Sequence, residues 1–166
     1  MTLDTLNALD ASAAARELRR CCGSVRWTEK MVAARPFATS DALASTADAI
    51  WQSLDRTDWL EAFAAHPKIG AGGSGGSDTS AWSAREQAGV ACAPASVRER
   101  LASANREYER RFGYIFIVCA TGKGADEMLA MLERRLTNDP ETEMRVAAEE
   151  QRQITRLRLS KLMGAP

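Results

Sequence analysis

The chain has 166 residues, 45% of them apolar, and its 22 Lys plus Arg balance 22 Asp plus Glu. That size and composition predict one compact domain over residues 1–166 with its own core. The balanced charge excludes a global field that would draw the chain to nucleic acid or an anionic membrane.

In chain order the texture is helical. From Asp10, "DASAAARELRRCCGS" is Ala-rich and predicts a helix that stops at Gly23. "SVRWTEKMVAARPF" predicts a short helix closed by Pro36. "TSDALASTADAIWQSLD" predicts a third, with Leu43, Ala47, Ile50 and Leu54 at helical spacing. "DWLEAFAA" predicts a fourth, opened by a capping box in which Glu61 follows Asp58. The run "GAGGSGGS" has linker composition. After it, "SAREQAGV" starts a further helix and "SVRERLASANREYERRFG" a longer one, from Ser96 to Gly113. "YIFIVCATG" has the composition of a strand but no strand to pair with, so a buried extended segment is expected near residues 113–121. "ADEMLAMLERRLTN" resumes the helical pattern with Met128, Leu132 and Leu136. "DPETEMRVAAEEQRQITRLRLSKL" closes the chain, with Asp139 as cap and Pro140 at the first helical position. The expected fold is all-α, a single compact multi-helix domain.

Location follows from what is missing. No secretory pattern opens the chain, and no run of about 18 apolar residues predicts a membrane span. A soluble, cytoplasmic protein is expected. Ser160 to Leu162 spell "SKL", but "MGAP" follows, so no peroxisomal address is read there. Cys21, Cys22, Cys92 and Cys119 contain no C-x-x-C pair and have one histidine to assist them. No metal site is expected, and the thiols suit a reducing compartment.

Two glycine-rich stretches invite a phosphate-loop reading. A Walker loop around Lys123 would need Gly where Ile117 stands and Ser or Thr where Gly124 stands, so that reading fails. The run after Gly70 lacks the preceding strand of a dinucleotide fold.

Three residues carry more chemistry. His66, the single histidine, precedes Pro67, which drives it out of helical geometry at the end of the "DWLEAFAA" helix. A helix C-terminus favours the imidazolium, which suits proton transfer near neutral pH; taken alone, an isolated histidine is more often a structural residue. Glu86 lies three residues after Ser83 and reads as a capping-box glutamate, a role compatible with a carboxylate facing a pocket. Arg158 is set apart by helical phase. Met144, Ala147, Ala148, Ile154 and Leu162 share one apolar arc from which Arg145, Arg152 and Arg156 point away, yet Arg158 falls inside it beside Gln151. A guanidinium there needs an anion, either a structural carboxylate or the carboxylate of a ligand.

At these residues the chain resembles a known family. "CCGSVRWTEKMVAARPF", "WLEAFAAHPKIG", "WSAREQAGV", "FGYIFIVCATGK" and "EEQRQITRLRLSKL", in that order, closely resemble the 2-oxo-4-hydroxy-4-carboxy-5-ureidoimidazoline (OHCU) decarboxylases of urate breakdown. The resemblance covers nearly the whole chain. It implies an all-helical, cofactor-free carboxy-lyase that forms (S)-allantoin, often as a homodimer. By position it implies His66, Glu86 and Arg158 as catalytic residues. Pro67, Ser83, Gln87, Phe112 and Ile117, together with Arg158, would contact the substrate. The glycine-rich stretch is where this chain departs most from the family pattern. A non-enzymatic helical interaction module and an enzyme for another ureido acid are the competing readings.

Overall fold

Eight helices and no strand occupy residues 1–68 and 93–164, the part of the chain that the computed structural model describes. They are α1 (Leu3–Ala8), α2 (Ala11–Cys21), α3 (Val25–Ala33), α4 (Ser40–Gln52), α5 (Arg56–Ala64), α6 (Ala95–Phe112), α7 (Ala125–Arg135) and α8 (Pro140–Leu162). The all-α expectation holds. The expected "SAREQAGV" helix and the glycine-rich linker lie outside the described residues.

Side-chain caps set most of the helix starts. Thr2, Asp10, Ser24 and Thr39 each accept a hydrogen bond from a backbone N–H in the first turn of α1 to α4, satisfying a donor that has no partner inside the helix. Asp139 does the same for α8, accepting from Glu141 at 3.1 Å and Thr142 at 3.0 Å. Gly113 ends α6 in the left-handed region, φ 80°, and donates its N–H to the Glu109 carbonyl at 2.8 Å.

Two local expectations are corrected. α5 opens at Asp55, whose Oδ1 accepts from Thr57 and Asp58, while Asp58 Oδ2 accepts from the Asp55 N–H. The capping box is therefore Asp55 with Asp58, three residues earlier than Asp58 with Glu61. Glu61 is drawn elsewhere: one oxygen pairs with Arg19 and the other takes the Val25 N–H at 2.9 Å. Gly23 is not a left-handed cap. α2 ends at Cys21, and the extended, fully buried Cys22 leads straight to the Ser24 cap of α3.

The chain divides into two compact units. One comprises Met1–Ala62 with Arg152–Pro166. In it Trp27 donates its indole N–H to the Ala47 carbonyl, 3.2 Å away, and Trp59 donates to Trp51 at the same distance. Arg35 closes the end of α1 by donating to the Leu6 and Leu9 carbonyls, both at 2.8 Å. Leu43, Ala47, Trp51 and Leu54 form the buried stripe of α4 and the turn after it. Trp51, buried, takes the place expected of Ile50, which is only partly buried.

The other unit is Phe63–Gln151. α6 packs on α7 there, and Tyr108, Met128, Leu132 and Ala147 are fully buried. Residues 113–120 between those helices are neither helix nor strand, and Tyr114 and 116–120 are buried. This is the segment expected from "YIFIVCATG".

Candidate active site

His66 stands two residues beyond α5. Its backbone N–H donates to the Phe63 carbonyl at 3.1 Å, and Pro67 keeps the chain from continuing as helix. The residue is half-buried, whereas Pro67 and Lys68 are exposed. Anchors lie on either side of it. The Phe63 ring, fully buried, sits 5.4 Å from the Tyr114 ring, and Lys68 Nζ pairs with Glu109 Oε2 on α6 at 2.7 Å. The exposed pair adds little stability, but together with the ring contact it ties the histidine turn to α6 and the segment after it.

That segment takes side-chain partners in place of a sheet ladder. The Ile117 carbonyl accepts from Arg135 Nη1 at 2.7 Å, the Cys119 N–H donates to Glu150 Oε2 at 2.7 Å, and the Cys119 carbonyl accepts from Lys123 at 2.8 Å. Buried backbone groups need such partners. Phe112 and Phe116 flank Tyr108, with ring centroids 4.7 Å and 5.3 Å from it. The Tyr108 hydroxyl donates to Glu143, and burial foremost keeps its proton on by pushing its pKa well up.

Arg135 and Glu143 were not singled out from the sequence. Both are buried, and the guanidinium meets Glu143 Oε1 through Nη2 at 2.6 Å and Nε at 2.8 Å. The signal was nonetheless present. Glu143 shares the stripe of Ala147, Gln151, Ile154 and Arg158, and Arg135 follows Leu132 at helical spacing, so the phase argument that isolates Arg158 finds them too.

Arg158 is 3% exposed, as its phase predicts. Arg152 and Arg156 point away and pair with Asp48 on α4 at 2.8 Å and 3.5 Å. Arg158 acts electrostatically on the thiols that end α2. Burial pushes the Cys22 thiol up to about 11 and raises Cys21 further, and the Arg158 charge opposes both shifts. His66, Pro67, Phe112 and Ile117 belong to one compact unit and Arg158 to the other. Ser83, Glu86 and Gln87 lie outside the described residues.

A cavity of about 510 Å³ opens where α4 begins and α8 ends, lined by Ser40, Asp41, Leu43, Arg156 and Leu159 among others. It includes none of the expected site residues. Among the described residues no helix is long and apolar enough to cross a membrane.

The family model for OHCU decarboxylase matches residues 7–160. The uric acid degradation bifunctional protein TTL of Arabidopsis thaliana is 40% identical over 151 residues, which are 89% of this chain and 47% of that protein. The chain thus spans about half the length of that relative. An OHCU decarboxylase of Amia calva is 31% identical, over 80% of this chain and 77% of the relative. Among solved structures, OHCU decarboxylase in the presence of (S)-allantoin aligns with a TM-score of 0.79 and 40% identity, covering 90% of this chain and 98% of that one. The match over 7–160 runs through both compact units and takes in the histidine turn, the buried 113–120 segment and the arginine of α8. On that ground the chain belongs to the OHCU decarboxylase family.

Proposed function

We propose that this chain, as a single functional domain, decarboxylates OHCU to (S)-allantoin without a cofactor. The observation that carries the reading is the family match over 7–160, which contains every residue proposed for the site. The substrate supplies its own electron sink, a ring C=N beside the carbon that bears hydroxyl and carboxylate. As the C–CO2 bond breaks, its electron pair forms a C=C bond to the ureido-bearing carbon and the imine pair moves onto the ring nitrogen, which takes up a proton to give an enediamine. The hydroxyl then gives up its proton to become the carbonyl, and a proton reaches one face of the carbon bearing the ureido group. The protein has to orient the carboxylate, exclude water and choose that face.

Arg158 suits the first task, since its planar fork matches a carboxylate and its burial keeps water from competing. His66 and Glu86 are the proton-handling pair. A carboxylate beside the imidazole would hold its tautomer and stabilise the imidazolium. Pro67, Ser83, Gln87, Phe112 and Ile117 line the substrate in this reading. The dimer rests on the family resemblance, and the buried thiols Cys21, Cys22 and Cys119, all free of disulfides, suit the cytoplasm.

An ultraviolet assay that follows freshly generated OHCU, with the chirality of the product read in parallel, tests the reading. Accelerated loss of substrate and formation of (S)-allantoin alone are expected. A rate equal to the uncatalysed one, or a racemic product, overturns it.

A further inference from the structure

We propose that Arg135 is a positioning residue for this reaction: clamped by Glu143, it holds the Ile117 carbonyl and so sets the backbone against which the substrate ring is oriented. The inference rests on the reading above, in which Phe112 and Ile117 contact substrate, and goes beyond it by naming what fixes them. The geometry points that way. Arg135 Nη1 reaches the Ile117 carbonyl at 2.7 Å, and the same guanidinium lies 4.6 Å from the Phe116 ring centroid. One cation thus grips the segment by a main-chain oxygen and by the adjoining ring.

The grip is itself oriented. Glu143 Oε1 receives two arms of the guanidinium and the Tyr108 hydroxyl, while Oε2 accepts from Asn138 at 2.7 Å. Tyr108 packs on both Phe112 and Phe116, so the carboxylate that aims Arg135 also seats the ring that leads into the segment and one within it. Stability alone does not call for such a device. A buried ion pair replaced by apolar side chains of similar volume is often neutral or stabilising. Its distinctive property is a fixed direction, and a segment without a strand partner has no ladder to give it one.

The test removes both charges together, because loss of one partner would strand the other in the core. Arg135→Met/Glu143→Leu keeps the volume apolar, and Arg135→Lys retains a charge opposite Glu143 but presents one nitrogen where the guanidinium presents three. Circular dichroism and melting curves establish the folded state. KM, kcat and the enantiomeric purity of allantoin are then measured well below the melting temperature. The expected result is a folded double variant whose KM rises about ten-fold or more and whose product loses enantiomeric purity, since small misplacements from remote changes cost up to about a hundred-fold. Arg135→Lys should fall between it and the parent. Unchanged KM and purity in either folded variant overturns the positioning role while parent turnover leaves the decarboxylase reading intact. A parent chain that does not turn over OHCU overturns both.

Discussion

An imidazole just past a helix end and a guanidinium inside the apolar arc of a helix differ in how they tolerate change. His66 is half-buried and its main chain, not its ring, makes the turn bond to Phe63. His66→Ala should therefore keep the melting temperature within a few degrees while turnover falls by about a hundred- to ten-thousand-fold, the usual weight of a proton-transfer group. Single-turnover decarboxylation and thermal melts check this; a variant that unfolds yet keeps its specific activity would make His66 structural. Arg158 and Arg156 stand two residues apart on α8, but only Arg158 is buried. Arg158→Lys should raise KM strongly because the planar fork is lost, whereas Arg156→Lys retains its exposed pairing with Asp48 and should leave KM unaltered. Equal KM changes in the two variants would contradict the assignment.

Helices here are bounded by individual cap residues whose effects are separable. Gly113 adopts φ 80° with open space where a Cβ would stand, so the cost of a side chain there is purely conformational. Gly113→Ala should destabilise the fold by about 1–2 kcal/mol, and Gly113→Asn by less, in urea titrations; equal stability of all three chains would show that α6 ends differently. Asp139 tests the acid side. The Thr142 side chain and N–H, its largest influences, hold its carboxyl below the ordinary value of 3.8. A carboxylate with a lowered folded pKa stabilises the fold fully above its unfolded value, and that contribution fades as pH falls through the folded one. The gap in melting temperature between the parent and Asp139→Asn should be largest near neutral pH and shrink below about pH 4. A gap that widens in acid would refute the assignment.

At the scale of the whole chain, the proposed chemistry draws on the substrate's own imine, with the one histidine in the sequence as the proposed proton carrier. Chelators should therefore leave turnover unchanged in the ultraviolet assay. Loss of activity on chelation, restored by one added divalent metal, would end the cofactor-free mechanism. The relative TTL carries this match in about half of its length, so the assay on the present chain alone also asks whether that portion suffices for the reaction.

Much of what is legible in the sequence is short-range. Helical phase separated Arg158 from Arg152 and Arg156, the Asp139–Pro140 start and the Gly113 stop of two helices were readable, and ordered motifs identified the family. The helical readings depend on neighbours within about a turn or two, where spacing alone sets which face a side chain occupies. Tertiary structure decided the rest. Asp55 and Asp58 are both acidic and three apart from a further carboxylate or from each other, so the true capping box emerged only once Arg19 and the Val25 N–H had claimed Glu61. Gly23 could not cap α2 because Cys22 is drawn into the core immediately before α3 begins. The 113–120 segment could be recognised as buried and unpaired, but not that Arg135 and Glu150, 18 and 31 residues from their backbone partners, hold it. A buried polar group must be satisfied by whatever arrives in space, and no local periodicity specifies a partner at that distance along the chain.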